Sequence, residues 1–328
     1  MAYRPDFAID NEVLTLVSEI AMLIGRIPEG NENSVQIRLR HSNNVRTIHS
    51  TSAIEGNRLS LEEVTDIIDG KHVIGDPTDI REIKNAKKAY DRMNRYDPFS
   101  VKDLLAAHGT LMKDLIDRPG EFRNCEVGVF KGPVAVHIPP EHDDVPGLVS
   151  DLMGWSKDVK LHPLVMSCIF HGRFEYIHPF VDGNGRMGRL WHSLILSKWK
   201  PAFGYLPIES WINVNKKEYY RSLSEAHRGN ISVFVKFMLL MIRMAVDEYV
   251  DEITYTAGKG PDIRTSIMDM ISADPKVTVA KMAEALSMSG RTVKRHLALM
   301  AKAGMIKREG DTRSGHWEIV RTPSSPPQ

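Results

Sequence analysis

The chain has few cysteines, little net charge and no long apolar run. Only Cys125 and Cys168 occur in 328 residues, which excludes a disulfide framework and favours a reducing compartment. Because Cys168 lies in the apolar stretch LVMSCIF, we expect it to be buried and unreactive. A formal net charge of +1 gives no general attraction to nucleic acid or to a membrane surface.

Signals for membrane insertion and secretion are also missing. The most apolar run, VFVKFMLLMIRMAV, is too short to cross a bilayer and contains Lys236 and Arg243, so it predicts a buried helix. The start MAYRPDFAID lacks the apolar centre of a signal peptide. We therefore expect a soluble, cytoplasmic protein without membrane partners.

The sequence does contain one dense polar segment, HPFVDGNGRMGR, from His178 to Arg189. Pro179 disfavours the helical region for the residue before it, so we predict that His178 is extended at the end of a helix, with its ring facing a cleft. The turn Gly183-Asn184-Gly185 then begins a new helix. Free amides at a helix start, and a glycine backbone that an anion can approach closely, make this turn a candidate phosphate site.

These residue types suit phosphoryl or nucleotidyl transfer, which depends mainly on positioning and charge stabilisation. His178 is the candidate base for the attacking hydroxyl, and Asp182 offers oxygen ligands for Mg²⁺. We expect the turn amides and the Asn184 side chain to hold the α- and β-phosphates, and Arg186 and Arg189 to hold the β- and γ-phosphates. Each residue alone also has a structural reading, since isolated GNG turns are common and an aspartate often caps a helix.

The order and spacing of this segment resemble the Fic (Fic/Doc) signature HxFx(D/E)GN(G/K)RxxR, with every specified position filled. The resemblance implies a mainly α fold, a Fic/Doc-type helical bundle with a β-hairpin flap. It implies a protein adenylyltransferase that uses ATP and Mg²⁺, transfers AMP to a Ser, Thr or Tyr hydroxyl of a protein or of the enzyme itself, and releases pyrophosphate. It also implies nucleotide contacts along the whole segment: Asp182, Gly183, Asn184, Gly185, Arg186, Met187, Gly188 and Arg189.

A second motif, TSAIEGN, lies upstream between Thr51 and Asn57. Thr51 and Glu55 are four residues apart and share a helix face, and Gly56 is suited to end that helix. A glutamate near a helix end is most often a solvated surface charge, but this segment resembles the inhibitory motif (S/T)xxxE(G/N) of Fic proteins. The resemblance implies that Glu55 pairs with Arg189 and keeps it from the γ-phosphate. We therefore expect Glu55→Gly to raise AMP transfer.

The stretch EVGVFKGPVAVHI, from Glu126 to Ile138, is β-prone and broken by Gly132-Pro133, which predicts a two-stranded hairpin. A free strand edge can align an extended peptide through main-chain hydrogen bonds. In Fic proteins such a hairpin is the flap. The resemblance implies target and nucleotide contacts from four flap residues: Val134, Ala135, Val136 and His137.

A tyrosine pair follows the motif helix in the segment KKEYYRSLSEAHRGN. This segment resembles the part of Fic proteins whose aromatic residues pack near the adenine and ribose, which implies nucleotide contacts from Tyr219 and Tyr220. An aromatic pair on a helix is otherwise more often part of the core. His227 stands where many relatives have asparagine, so no contact is assigned to it.

Helical periodicity and capping signals predict helices almost throughout the first 255 residues. We expect an N-terminal helical region at 1–100 that carries the inhibitory helix (34–57), and a Fic catalytic domain at 101–255. The linker YTAGKGPD then separates a winged helix-turn-helix domain at 261–321 from the rest, and the tail 322–328 is expected to be disordered.

The last domain is predicted as three helices, at 263–271, 279–286 and 290–303, followed by two short strands. Residues 261–328 carry eleven Lys/Arg against seven Asp/Glu, a modest bias of +4, so DNA binding and protein docking both stay open. The candidate DNA contacts are the basic residues of the third helix and the wing: Arg291, Lys294, Arg295, His296, Lys307, Arg308 and Arg313.

Two classes of function compete. The first is the self-inhibited adenylyltransferase, and the second is a DNA-binding regulator whose Fic domain senses nucleotide. The presence of His178, Asp182 and both motif arginines favours the enzyme, since a sensor would not need all of them. Relatives with an internal glutamate include enzymes that also remove AMP and proteins that form dimers, so AMP removal and a homodimer stay open.

Overall fold

The computed structural model describes residues 5–28, 34–131, 134–259, 263–286, 288, 290–302, 304–310 and 315–320. The predictions for Gly132-Pro133, for Arg313 and for the tail 322–328 lie outside these residues. The described chain is mainly helical and forms two two-stranded antiparallel sheets. This confirms the predicted fold class. Contact clustering divides the chain into two compact units, Met1–Asp247 and Glu248–Gln328.

The first unit consists of helices and one hairpin. Its α-helices are α1 Asn11–Ile24, α2 Ser34–Ile54, α3 Leu61–Ile68, α4 Pro77–Arg92, α5 Val101–Leu111, α6 Val145–Asp158, α7 Pro163–Ile177, α8 Asn184–Trp199, α9 Ile208–Val214, α10 Lys216–His227 and α11 Ile231–Lys259, of which the last continues into the second unit. The hairpin strands are β1 Val129–Lys131 and β2 Val134–His137.

Local signals account for the helix ends that matter to the site. Gly56, with φ 104°, follows α2, and a left-handed conformation of this kind carries no steric cost for glycine. The predicted capping box begins α3, because Ser60 accepts from the Glu63 N–H while the Glu63 carboxylate accepts from the Ser60 N–H. Ser100 caps α5 as predicted. The helix α2 therefore stops directly after Glu55.

The pair α7 and α8 lies in the main core of the first unit. In α7, 12 of 15 residues are buried, including Cys168, as the all-round apolar sequence predicts. Residues from before and after position 100 share this core, for example Ile48, Ile83, Leu104 and Trp191, each fully buried. The inhibitory helix and the motif helix are thus packed into one body.

The second unit begins inside α11, before the predicted linker. It continues with α12 Ile263–Ala273, α13 Val279–Ala285, α14 Gly290–Lys302, β3 Ile306–Glu309 and β4 His316–Ile319, and the two strands pair in antiparallel fashion. The end of α11 belongs to it because Arg264 on α12 pairs with the buried carboxylates of Glu248 (2.9 Å) and Glu252 (2.8 Å). The three helices and two strands confirm the predicted winged-helix layout.

Among the described residues, no helix combines the length and the apolar character needed to span a bilayer.

Candidate active site

His178 follows α7 directly and precedes the motif turn. Its backbone is left-handed, with φ 50° and ψ 59°, so the prediction of an extended residue is wrong. Pro179 disfavours only the right-handed region for His178, and the left-handed conformation lets the His178 N–H cap the helix by donating to the Phe174 carbonyl oxygen (2.9 Å). Such a conformation costs a non-glycine residue about 1–2 kcal/mol, and strain of this kind often marks a functional residue.

Arg123 stabilises this strained backbone. Its side chain is fully buried, and its Nε donates to the His178 carbonyl oxygen at 2.9 Å. Other nitrogens of the same guanidinium donate to the carbonyl oxygens of Cys125 (3.2 Å) and Pro140. Arg123 therefore joins the base of the hairpin to the end of α7. The sequence carries no signal for this role, since one arginine in GEFRNC has no motif around it.

His108 on α5 fixes the backbone of Asp182. Nδ1 of His108 accepts from the Gly120 N–H (2.9 Å), which leaves Nε2 to donate to the Asp182 carbonyl oxygen (3.0 Å). The ring stacks on Phe180 with centroids 3.6 Å apart. Burial lowers the pKa of His108 to about 4, so the ring stays neutral. This residue was also missed, because its partners lie far away in the sequence.

The motif turn is shaped by Asn184. Its side-chain oxygen accepts from the Phe180 N–H (2.9 Å), and its side-chain nitrogen donates to the Phe180 carbonyl oxygen (2.8 Å). We predicted a phosphate contact for this side chain, but both of its polar groups already serve to fold the turn. Gly183 precedes α8 with φ 84° and no side-chain cap, which leaves the first backbone amides of the helix for an anion.

Glu55 contacts the motif as predicted. Its Oε1 lies 2.7 Å from Nη2 of Arg189, and Nε of the same arginine donates to Oγ1 of Thr51 (2.9 Å). A methyl group added to Gly185 would come within 2.3 Å of the Glu55 Oε1 atom. The carboxylate therefore occupies the space directly against the glycine of the candidate phosphate turn.

Arg186 pairs with two carboxylates. Its Nη1 lies 2.7 Å from Glu82 Oε1, and its Nη2 lies 3.3 Å from Asp182 Oδ1. Within the described parts of the chain, Nε of Arg186 and Nη1 of Arg189 are buried and have no hydrogen-bond partner. Buried donors without partners are unfavourable. These atoms indicate a place for an anionic ligand.

The electrostatic surroundings of His178 keep its ring neutral. Burial lowers the pKa of His178, while the nearby charge of Glu175 acts in the opposite direction. Burial also raises the pKa of Glu175 to about 7. In the described structure, Nδ1 of His178 and Oε1 of Glu175 are both buried and lack hydrogen-bond partners. A neutral imidazole near pH 7 is the form that can accept a proton from a hydroxyl.

The predicted hairpin is present, with Val129–Lys131 paired antiparallel to Val134–His137. For Val134, Ala135 and Val136 only the backbone is described, so their contacts stay predictions. His137 is placed at the site end of β2, where its Nε2 lies 2.8 Å from the Tyr176 carbonyl oxygen. Its ring centroid is 4.0 Å from that of His227.

The two predicted tyrosines have different surroundings. Tyr219 is 1% exposed, and its hydroxyl lies 3.0 Å from Nε2 of His171. Tyr220 is 43% exposed, and its hydroxyl lies 3.4 Å from the Ile54 carbonyl oxygen at the end of α2. Tyr219 therefore belongs to the core, while Tyr220 has a ring face available beside the inhibitory helix.

The second unit corrects part of the DNA prediction. Arg295 is not presented to solvent, because its Nη2 pairs with Asp251 at 2.6 Å and its side chain is 14% exposed. His296 is fully buried. Periodicity did not reveal this, since the partner carboxylate lies 44 residues earlier. Arg291 and Lys294 are exposed, as a DNA contact requires.

On the wing, Lys307 pairs with the carboxylates of Glu309 (2.7 Å) and Glu318 (2.9 Å). Arg308 lies over the ring of Trp317, 5.0 Å from its centroid. The wing cations thus have partners within their own sheet.

Comparison with known proteins agrees with this geometry. A Fic/DOC family model matches residues 98–196, and a winged helix-turn-helix DNA-binding model matches residues 262–307. Protein adenylyltransferase Fic of Culex quinquefasciatus is 30% identical over 218 residues, covering 63% of this chain and 41% of the relative. Its namesake from Nematostella vectensis is 25% identical over 259 residues, covering 75% and 57%. The chain thus spans about half the length of these curated relatives.

A solved structure matches along the whole chain. It is the crystal structure of a Fic family protein from Desulfovibrio desulfuricans, 38% identical, with a TM-score of 0.74. The match covers 98% of this chain and 100% of that protein. Since the likeness extends from end to end and includes the motif region, the chain belongs to the Fic family.

Proposed function

We propose that this protein is a self-inhibited protein adenylyltransferase, which transfers AMP from ATP to a Ser, Thr or Tyr hydroxyl of a target protein or of itself. One observation carries the proposal: the Glu55 carboxylate lies against Gly185 and pairs with Arg189 at 2.7 Å. A carboxylate held on a glycine turn and an arginine occupies a place that an anion such as a phosphate would otherwise take. The curated relatives named protein adenylyltransferase support the same activity.

In the proposed reaction the chain's own groups divide the work. His178 accepts the proton of the attacking hydroxyl, whose oxygen forms a bond to the α-phosphorus of ATP while the bond to the pyrophosphate oxygen breaks. The amides at the start of α8 and the guanidiniums of Arg186 and Arg189 stabilise the charge that collects on the phosphates. The hairpin strand Val134–His137 aligns the target segment through main-chain hydrogen bonds.

Asp182 fits a Mg²⁺ site. Its Oδ1 accepts from the Gly183 N–H (2.6 Å), and its side chain is 58% exposed, so the carboxylate is accessible from solvent. Mg²⁺ prefers one or two carboxylates together with phosphates and water. When bound, the ion would neutralise part of the triphosphate charge.

Glu55 inhibits, in this proposal, by removing Arg189 from the γ-phosphate and by repelling the triphosphate. A coupling between two sites is typically about 1–3 kcal/mol, or roughly 5–150-fold. The same carboxylate could position a water that releases AMP from a modified target, which is the alternative activity that the resemblance leaves open.

The test uses ATP labelled on the α- or the γ-phosphate, with Glu55→Gly protein and cell lysate. AMP transfer moves only the α-label onto protein, whereas transfer of the γ-phosphate moves only the γ-label. Glu55→Gly/His178→Ala protein is the matched control and should transfer neither. Incorporation of the γ-label, or activity without His178, would refute the proposal. Loss of the α-label when wild-type protein is added to a modified target would support AMP removal.

A second function is proposed for the winged helix, which matches a DNA-binding family model and exposes Arg291 and Lys294 on α14. Charge reversal of both residues should weaken binding to duplex DNA and lower its salt dependence by about one unit per lost phosphate contact. Unchanged DNA affinity would leave this unit as a protein-docking module. We also propose a homodimer, to be tested by light scattering, and a cytoplasmic location, since both cysteines are free.

A further inference from the structure

A buried carboxylate outside the motif, Glu82 on α4, contacts the first motif arginine. The Glu82 and Arg186 side chains are 11% and 8% exposed, and their charged atoms are 2.7 Å apart. A pair so deeply buried depends on both partners, because removal of either leaves an uncompensated charge. Asp182, the other partner of Arg186, is more distant and 58% exposed. Glu82 therefore dominates the placement of this guanidinium.

Glu82 also contacts the inhibitory segment. Its Oε2 accepts a hydrogen bond from Nδ2 of Asn57 at 2.8 Å, and Asn57 is fixed by two further hydrogen bonds to backbone groups. Asn57 follows Glu55 by two residues. Both motif arginines are thus connected to one short segment, Arg189 directly through Glu55 and Arg186 through Glu82 and Asn57.

We propose that Glu82 is a positioning residue for the distal phosphates of ATP, and that Asn57 makes its hold on Arg186 depend on the inhibitory segment. This inference rests on the proposed function. The buried Nε of Arg186 has no partner in the described structure, so a guanidinium fixed by Glu82 keeps donors for phosphate oxygens. A displacement of residues 55–57 then alters both arginines together, which makes the switch steeper than the Glu55 contact alone would.

Two ligands separate positioning from folding. In Glu55→Gly protein, Glu82→Gln keeps the side-chain shape but removes the charge. We expect the Kd of α,β-methylene ATP, measured by calorimetry, to rise about tenfold, which corresponds to about 1.4 kcal/mol. The Kd of AMP, which lacks the distal phosphates, should stay unchanged, whereas a purely structural role would weaken both ligands. Asp91→Asn, on the same helix and in an exposed pair with Lys87, is the control and should change neither.

The link to the inhibitory segment is tested by Asn57→Ala in the same Glu55→Gly background. We expect the Kd of α,β-methylene ATP to rise about threefold, again without an effect on AMP. If Glu82→Gln does not fold, this variant decides the question alone. Equal Kd values in the variants and their parent overturn the inference while leaving AMP transfer intact. Failure of the Glu55→Gly parent to transfer AMP overturns the proposed function instead.

Discussion

At His178 the backbone conformation and the chemistry can be separated by substitution. Glycine and alanine both remove the imidazole, but only glycine adopts the left-handed region without a steric cost. We expect His178→Gly and His178→Ala to be equally inactive in AMP transfer, and the glycine variant to be about 1 kcal/mol more stable towards unfolding in urea. An alanine variant of equal or greater stability would contradict the left-handed conformation.

The protonation state of His178 makes a second prediction. A general base acts in its neutral form, and burial lowers the pKa of this imidazole, so the acid limb of kcat/KM should lie below pH 6.5. Glu175→Gln should remove an ionisation near pH 7, because burial raises the pKa of this carboxyl to about 7, and should leave the acid limb in place. The measurement is the pH–rate profile of Glu55→Gly protein. An acid limb at or above pH 6.5 would argue against a buried base.

Some site residues could be predicted from the sequence and others could not, for a physical reason. The residues from His178 to Arg189 are contiguous, so their order is itself a signal, and Glu55 has a recognisable motif. Arg123 and Glu82 act through partners 55 and 104 residues away, which no local pattern encodes. The left-handed backbone of His178 was also hidden, because it depends on the hydrogen bonds that Arg123 supplies.

At the scale of elements, the hairpin and α7 are joined by one side chain. Arg123→Lys keeps the charge but loses the fork of donors that reaches three carbonyl groups of separate segments. We expect it to lower the free energy of unfolding by about 2–3 kcal/mol, as for a buried charged group that loses hydrogen bonds, and to lower AMP transfer. Arg118→Lys, in an exposed pair with Glu121, is the control and should change stability by less than about 0.5 kcal/mol. Equal effects of the two substitutions would show that Arg123 does not fix the site.

Helices with clear periodicity were predicted within a few residues of their observed ends, α10 at both ends. The short helix α9, Ile208–Val214, was missed, because its cap position is Pro207 and no side chain caps it. The helix α5 ends at Leu111, earlier than expected. Periodicity is informative where one helix face packs on the core, and it fails where a helix has only two turns.

At the scale of the whole molecule, several neutral histidines are buried. Burial lowers the pKa of His108 to about 4, and that of His171, His192 and His227 to about 3. Below pH 6.5 the unfolded chain binds protons at these groups and the folded chain does not, so stability should fall as the pH drops from 6.5 towards 4. Glu175 acts in the opposite direction, since its pKa is raised.

We therefore expect a net uptake of about two to four protons on unfolding near pH 5. The measurement is the slope of the unfolding free energy against pH, from urea titrations. A flat profile between pH 6.5 and 4 would mean that these imidazoles are not buried in neutral form.

The central claim is that the Glu55 carboxylate prevents productive ATP binding by lying against Gly185 and holding Arg189. The most direct measurement is the initial rate of α-labelled AMP transfer by wild-type and Glu55→Gly protein, side by side, at the same ATP concentration. The account predicts a rate at least about fivefold and up to about 150-fold higher for the variant, and no rate when His178→Ala is added. Equal rates for wild type and Glu55→Gly would contradict it.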